Sequence, residues 1–591
     1  MKNRILALLL AAAMLCMLLP GAVLSLSAAD DGLRDGASSG SCGDDLRWSF
    51  SAETGTLTIT GSGDMEHYGW MGAPWYPFAS QISSVSLPEG LTRLGRGAFE
   101  GLDHLTRIQL PVSLKEIGDA AFRGCTALTE IVIPQSAVKL GVSAFRDCTS
   151  LASVVLPEAL EEIEAFVFLG CEALRDVTMP PSVGYIGEGA FEGCAALERL
   201  EIPASVIQIG PSAFGGCENL REIILNEGLK EICSCAFNNC HSLASVSFPA
   251  TMTLIGMDAF ECCAALKTVK FSNGIRSIDR GAFRGCAALR RVELPESVEV
   301  IGYGAFMNCD ALKQLIIRNP NCGVEVAIPG SSSSDTGEDL NWSSESRGPS
   351  DTDEDLSVYV ETDAPYTLGS AEKTVIYCKH LDGMEDSGIS YSNRSGRRCP
   401  ESYAKAFGYS FFPINAFSDV KDKSYYQIPV AWAVGYGITS GTGDGQFSPA
   451  KSCTREQIVT FLYSAKGKPA FTLNASPFTD VKPGKYYYKP VLWAVENKIT
   501  GGVSDTLFGV GKSCTREQVV TFLWKAAGAP EPVATDCPFT DVNPKKYYYK
   551  AVLWAMENKV TGGISATQFG VGKSCTRAQV VTFLYAADNI E

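Results

Sequence analysis

Phe122-Arg-Gly-Cys125-Thr-Ala-Leu128-Thr-Glu-Ile131-Val-Ile133-Pro134 is one copy of a motif that returns every 23 residues. Its Phe stands at positions 99, 122, 145, 168, 191, 214, 237, 260, 283 and 306, ten copies without a slip. Ala precedes the Phe in nine copies and Val167 in the tenth. Cys follows three residues later, from Cys125 to Cys309, with Leu102 in the first copy, and Leu always stands six residues after the Phe. A fixed period of this length predicts a solenoid, because one copy cannot bury its apolar face alone and a stack can. In Leu-x-x-Ile-x-Ile the alternation predicts a short strand whose apolar residues face one core. The Phe and the next Ile (Ile117, Ile163, Ile186, Ile209) are expected to close each coil.

The whole chain has 591 residues, 20% charged and 46% hydrophobic, with net charge −16 and 21 cysteines. The length calls for several domains and the hydrophobic fraction excludes wholesale disorder. The acidity argues against nucleic-acid binding. Four scattered histidines (His67, His104, His241, His380) offer no metal centre and no His-based triad. No nucleophile elbow, phosphate-binding loop or metal-ligand spacing occurs, so no catalytic residue, metal or cofactor is expected and the chain is read as a non-enzyme. Lys2 and Arg4 precede an apolar run, Ile5–Leu19, and Ser27 and Ala29 are placed for cleavage before Asp30. This reads as a signal peptide over 1–29 of an exported protein, with no transmembrane segment after its removal.

The copies resemble BspA-like leucine-rich repeats, as in Ile186-Gly187-Glu188-Gly189-Ala190-Phe191-Glu192-Gly193-Cys194-Ala-Ala-Leu197. The resemblance implies a leucine-rich α/β solenoid of short parallel strands over 85–330, entered through an N-terminal β cap at 30–84. Tyr68, Trp70, Trp75, Tyr76 and Phe78 are read as cap packing or a ligand patch. The resemblance also implies a concave strand face, with outward positions eight and ten residues after each Phe, from Arg107 and Gln109 to Gln314 and Ile316. These columns mix both signs and carry no aromatic stripe, which fits either a solvated face or an unidentified protein partner, such as a host or bacterial surface protein. Residues 331–363, with Ser331–Ser334 and Asp351–Asp355, are too polar to bury a core and read as an acidic linker. Residues 364–414 read as an interrupted C-terminal cap of the solenoid.

A second repeat, of 61 residues, fills the C-terminal end. Asp419, Asp480 and Asp541 lie in Phe-Ser/Thr-Asp-Val motifs. Trp432, Trp493 and Trp554 follow, then Gly441, Gly502 and Gly563 in Gly-rich loops, and finally Arg455, Arg516 and Arg577 in Cys-Thr-Arg motifs. Thr515-x-x-Gln518 is a capping box ahead of an apolar run, repeated at Thr454 and Thr576, so each repeat predicts helix, loop, helix. Each Arg then opens the second helix, where the helix dipole disfavours a cation. Its recurrence implies an anionic partner, either the repeat's own early Asp or a ligand carboxylate.

The triplet, at 415–476, 477–537 and 538–591, resembles S-layer homology domains. That resemblance implies an all-α three-pronged module that binds a pyruvylated, anionic secondary cell-wall polysaccharide in its grooves. The twelve residues of the preceding paragraph are then its expected contacts, with the tryptophans stacking or packing. The motif departs from the family's Thr-Arg-Ala-Glu: it reads Thr-Arg-Glu-Gln twice and Thr-Arg-Ala-Gln once. Charge agrees independently. Residues 417–591 hold 19 Lys and Arg against 14 Asp and Glu, a surplus of +5 that leaves −21 on residues 1–416. The implied protein is secreted, retained on the wall and displays its solenoid as an adhesin-like module; a structural envelope scaffold is the alternative. Of the cysteines, nine occupy the period-23 slot and three the period-61 slot, and these are expected to be buried free thiols.

Overall fold

In a computed structural model of the chain, residues 38–326, 375–378, 396–398, 400–407 and 409–590 are described. The signal segment 1–29 and the acidic stretch 331–363 lie outside them, as do Cys16 and Cys399.

The solenoid opens on antiparallel strands Ser39–Ser41, Asp45–Ser51 and Thr56–Asp64. The last of these passes by parallel pairing into Ser84–Ser86 and Gly90–Leu94. Trp75 is fully buried here, donates Nε1–H to the Ala98 carbonyl at 2.9 Å and meets the edge of Trp48. Tyr68 packs on the same ring, whereas Trp70 points to solvent.

Each following copy contributes two strands, except that the first has an isolated bridge at Arg107 in place of the broader one. One is a two-residue segment, such as Glu162–Ile163 or Gln208–Ile209, that stacks in parallel from copy to copy up to Gly323–Val326. The other, broader one spans the alternating stretch, as in Glu130–Val132 or Arg199–Ile202. Between them the Phe side chains form a buried column in which neighbouring rings stack at 5.2–5.5 Å from Phe122 to Phe306.

The cysteines form a second column. Every slot thiol is buried and donates to the carbonyl of the preceding copy's Phe, from Cys125 to Phe99 at 3.1 Å to Cys309 to Phe283 at 3.2 Å. Burial pushes these thiols up, to about 12 for Cys148, Cys217, Cys263 and Cys309, so they stay protonated at neutral pH.

The expected α/β solenoid is corrected in one respect: among the described residues of 38–326 there is no α-helix, only a 3-10 turn at Tyr76–Gln81. The reason is local. In all ten copies the residues two before and two after the Phe have positive φ. The later column reads Gly101, Gly124, Asp147, Gly170, Gly193, Gly216, Asn239, Cys262, Gly285 and Asn308. Left-handed residues four apart cannot lie in one right-handed helix. The stack is therefore a β-solenoid of parallel strands and turns.

At the C-terminal end, Val375–Cys378 pairs in parallel with Gln314–Ile317, and Ser410–Pro413 pairs with Val375–Cys378. Gly396–Arg398 closes antiparallel on Gly323–Val326, and Pro400–Phe407 is a helix. These are the described parts of 364–414. The last outward positions are not solvated: Gln314 and Ile316 are buried. Ile316, Val375, Tyr377 and Phe412 share one apolar core with the helical region that follows. Tyr585 donates to Gln314 Oε1, and Arg318 Nη1 donates to Gln427 Oε1 at 2.7 Å.

Six helices make up that region. The first helices of the repeats are Gln427–Gly435, Tyr488–Glu496 and Tyr549–Glu557. The second are Arg455–Ala465, Arg516–Ala526 and Arg577–Asp588. Each second helix packs on the first helix of the next repeat, and Arg577–Asp588 returns to Gln427–Gly435, so the arrangement closes on itself.

Candidate functional site

Each second helix begins where its sequence directs it. The Gln side chain of the capping box accepts the Thr N–H, at 3.0 Å for Gln457, 3.2 Å for Gln518 and 3.1 Å for Gln579. Just before each Thr, the three cysteines meet. Cys453 N–H donates to Cys575, Cys514 N–H to Cys453, and Cys575 N–H to Cys514, at 2.9–3.0 Å, closing a ring of three peptides.

From this ring the arginines reach outward into the neighbouring repeat. Arg455 donates Nε–H to the Phe508 carbonyl at 3.0 Å, and Nη2 to Thr500 Oγ1 and the Gly501 carbonyl at 2.9 and 3.0 Å. Arg516 makes the same set with Phe569, Thr561 and Gly562. Arg577 wraps back to Phe447 and Thr439. Each guanidinium also lies between two Phe rings, Phe508 and Phe522 at 5.2 and 5.3 Å for Arg455. All three side chains are only 4–5% exposed. Burial pulls their pKa below the ordinary arginine value, yet a guanidinium stays charged. The anionic internal partner considered from sequence is absent among the described residues: the acceptors are neutral carbonyls and hydroxyls, and the rings supply cation–π attraction.

The early Asp serves the same loop from its other side. Asp480 accepts N–H donors from Phe508, Gly509 and Val510 at 2.8–2.9 Å. Asp541 does the same with Phe569, Gly570 and Val571. Burial raises these carboxyls, but the backbone donors outweigh it and hold both below the usual value. Thus one residue, Phe508, is gripped by Asp480 at its N–H and by Arg455 at its carbonyl.

The glycines permit close approach in the loop between the helices. A Cβ on Gly502 would lie 2.5 Å from the Phe478 ring, and one on Gly563 2.4 Å from Phe539. Gly441 has φ +84° and abuts Phe417. Trp432, Trp493 and Trp554 are buried between helices, the first two against Tyr585 and Tyr463.

Sequence reading missed three tyrosines. Tyr425, Tyr486 and Tyr547 are 61–63% exposed, each ring edge-on to its neighbour, the half-buried Tyr426 or the buried Tyr487 and Tyr548. Tyr547 lies in the electrostatic reach of Arg455 and Tyr425 in that of Arg516. Tyr486 lies in that of Cys453, which in turn neighbours Arg577. Arg455 and Arg516 thus each meet the loop of the next repeat and lie within electrostatic reach of a Tyr from the remaining one. The period-61 spacing of the Tyr-Tyr pairs at 425, 486 and 547 was the available signal.

The three loops are not held identically. Glu456 and Glu517 accept the N–H of Gly511 and Gly572 at 2.9 Å, but Ala578 takes that place in the third repeat. The loop it faces contains Ser448-Pro449, and Pro has no N–H to give Asp419, which holds only two donors.

Comparison with known proteins fits this architecture. Residues 76–198 and 184–313 match the BspA type leucine rich repeat region, and 416–459, 477–520 and 538–581 match the S-layer homology domain. The chain carries a BspA-type leucine-rich repeat region and three S-layer homology domains. It is 28% identical over 186 residues to a surface-layer 125 kDa protein of Lysinibacillus sphaericus, covering 30% of this chain and 15% of that one. It is 30% identical over 114 residues to an endoglucanase of a Bacillus species, covering 19% and 12%. The match to each therefore spans under a fifth of the relative's length. A solved leucine-rich repeat protein from Bacteroides ovatus aligns at 24% identity, covering 46% of this chain and 94% of that one, with a TM-score of 0.36. The two matched regions are of non-enzymatic surface-protein types. No described helix is long and apolar enough to cross a membrane.

Proposed function

We propose that this is an exported bacterial surface protein held non-covalently on the cell wall by its C-terminal module. The polymer is an anionic secondary cell-wall polysaccharide, pyruvylated as the family resemblance implies, and the three helix pairs are the prongs between which it lies. The observation that carries the reading is the threefold closure. Three guanidiniums recur on one small basic module, each fixed to the loop of another repeat, and each repeat carries an exposed tyrosine. Exposed aromatic faces suit sugar rings, and a positive field suits a carboxylate.

Across the three grooves the twelve repeat residues divide the work. Asp419, Asp480 and Asp541 and the arginines fix the loops; Gly441, Gly502 and Gly563 let them close; the tryptophans pack the helices that present them. Tyr425, Tyr486 and Tyr547 supply the stacking surface. The two grooves braced by Glu456 and Glu517 are the stronger ones, and several weak grooves on one polymer give avidity. The solenoid is an adhesin-like display module that binds a surface protein of the host or of other bacteria.

The test is sedimentation of the full chain with purified cell-wall sacculi before and after extraction of the wall polysaccharide. Binding that disappears with the polymer supports the anchor. Equal binding to stripped sacculi overturns it. The full chain is the right reagent, because Ile316 and Phe412 belong to the core of the helical module.

A further inference from the structure

The broad sheet of the solenoid is interrupted between Thr268–Lys270 and Arg291–Leu294. Four strands pair on one side of the seam and four on the other. Over the seam opens a cleft of about 900 Å³, bounded on its far rim by Lys423 of the helical module. Six of its lining side chains are basic and two acidic, on a display region that otherwise carries a large negative charge.

The two acids are already matched. Glu293 takes Arg291 Nη2 at 2.8 Å and Arg318 Nε at 2.9 Å, and Glu296 takes Lys423 Nζ at 3.0 Å. Lys267 and Lys270 are exposed and pair with no acid among the described residues. The cleft therefore keeps a net positive charge facing solvent. Its rim also carries one residue of the helical module, Lys423. Lys423 stands two residues before Tyr425, the exposed ring beside Arg516.

We propose that this cleft is a second contact site for the anionic wall polysaccharide, taking its carboxylates as the polymer runs from the Arg516–Tyr425 groove onto the solenoid. The proposal rests on the anchor reading above. An anionic glycan is favoured over an acidic protein segment because Lys423, on the rim of the cleft, belongs to the module assigned to that polymer. The cleft's apolar lining residues, Val269, Phe271, Ala288 and Pro295, are buried or half-buried, so the fully exposed groups on its wall are charged or polar. Binding here would orient the solenoid relative to the wall as well as tether it.

The test uses the full chain and sacculi carrying the polymer. Lys267→Glu with Lys270→Glu is expected to weaken binding about three- to tenfold and make it less sensitive to salt, with unchanged melting. Lys115→Glu with Lys139→Glu, an equal charge change elsewhere on the solenoid, is expected to leave binding unaltered. Unchanged binding in the cleft variant, beside lost binding on polymer extraction, overturns the cleft and leaves the anchor standing. Equal weakening in both double variants overturns the cleft as well, since only overall charge would then matter. Loss of poly-L-glutamate binding without loss of sacculus binding would assign the cleft to an acidic peptide and also overturn it. A wild-type chain that ignores the polymer brings down the anchor reading itself.

Discussion

The solenoid and the helical module solve the same problem with opposite symmetry. In each, a buried side chain donates to a Phe carbonyl of another copy. In the solenoid a neutral thiol reaches back 26 residues, as from Cys217 to Phe191, and the pattern translates without closing. In the module a guanidinium reaches forward 53 residues, as from Arg455 to Phe508, and the third arm returns across 130 residues from Arg577 to Phe447. A thiol is a weak donor, so the stack depends on ring packing and on copy number. A charged donor held between rings is strong but costly to bury, so the module depends on three arginines and cannot lose one cheaply. An open stack tolerates local damage; a closed ring shares it.

The largest effect is expected at ring closure. Arg577→Ala leaves the Phe447 carbonyl and Thr439 hydroxyl without their donor, and should cost about 4 kcal/mol. Denaturant unfolding followed by tryptophan fluorescence should show the helical module unfolding early while the solenoid transition is retained. Next comes the ring column. Phe214→Ala should cost about 3 kcal/mol. Hydrogen exchange should show the loss of protection confined to the neighbouring copies, since Phe214 stacks only on Phe191 and Phe237 within that column.

Smaller again is the thiol column: Cys217→Ala should cost about 1 kcal/mol. In the native chain a thiol reagent should label the partly exposed Cys233, Cys235, Cys262 and Cys537 and spare the column until unfolding. Smallest is the acid response of the loops. Asp480 and Asp541 have lowered folded pKa values, so their contribution is complete above the unfolded pKa of about 3.9 and is lost as pH falls through the lower folded values. Asp480→Asn with Asp541→Asn should flatten the fall in module stability below about pH 4.

The periods, the Phe column, the buried thiols and the capping boxes were legible because each is a spacing of side-chain types. The absence of helix in the solenoid was legible in principle, from Gly124, Gly170, Gly193 and Gly216 two residues after the Phe, but a leucine-rich pattern alone does not reveal φ. The partners of Arg455, Arg516 and Arg577 were not legible, because backbone carbonyls leave no mark in a sequence. Gln314 and Ile316 read as outward positions like their equivalents in other copies. Only the three-dimensional fit of the helical module buries them.

In the proposed anchor the module's arginines build the grooves and its exposed tyrosines meet the polymer. The most direct test is the full-chain variant Tyr425→Ala, Tyr486→Ala, Tyr547→Ala, sedimented with polymer-bearing sacculi. Normal melting with binding reduced at least tenfold is the expected result, since stacking is worth about 1 kcal/mol or more per ring. A folded triple variant that pellets as well as the wild type would contradict the account.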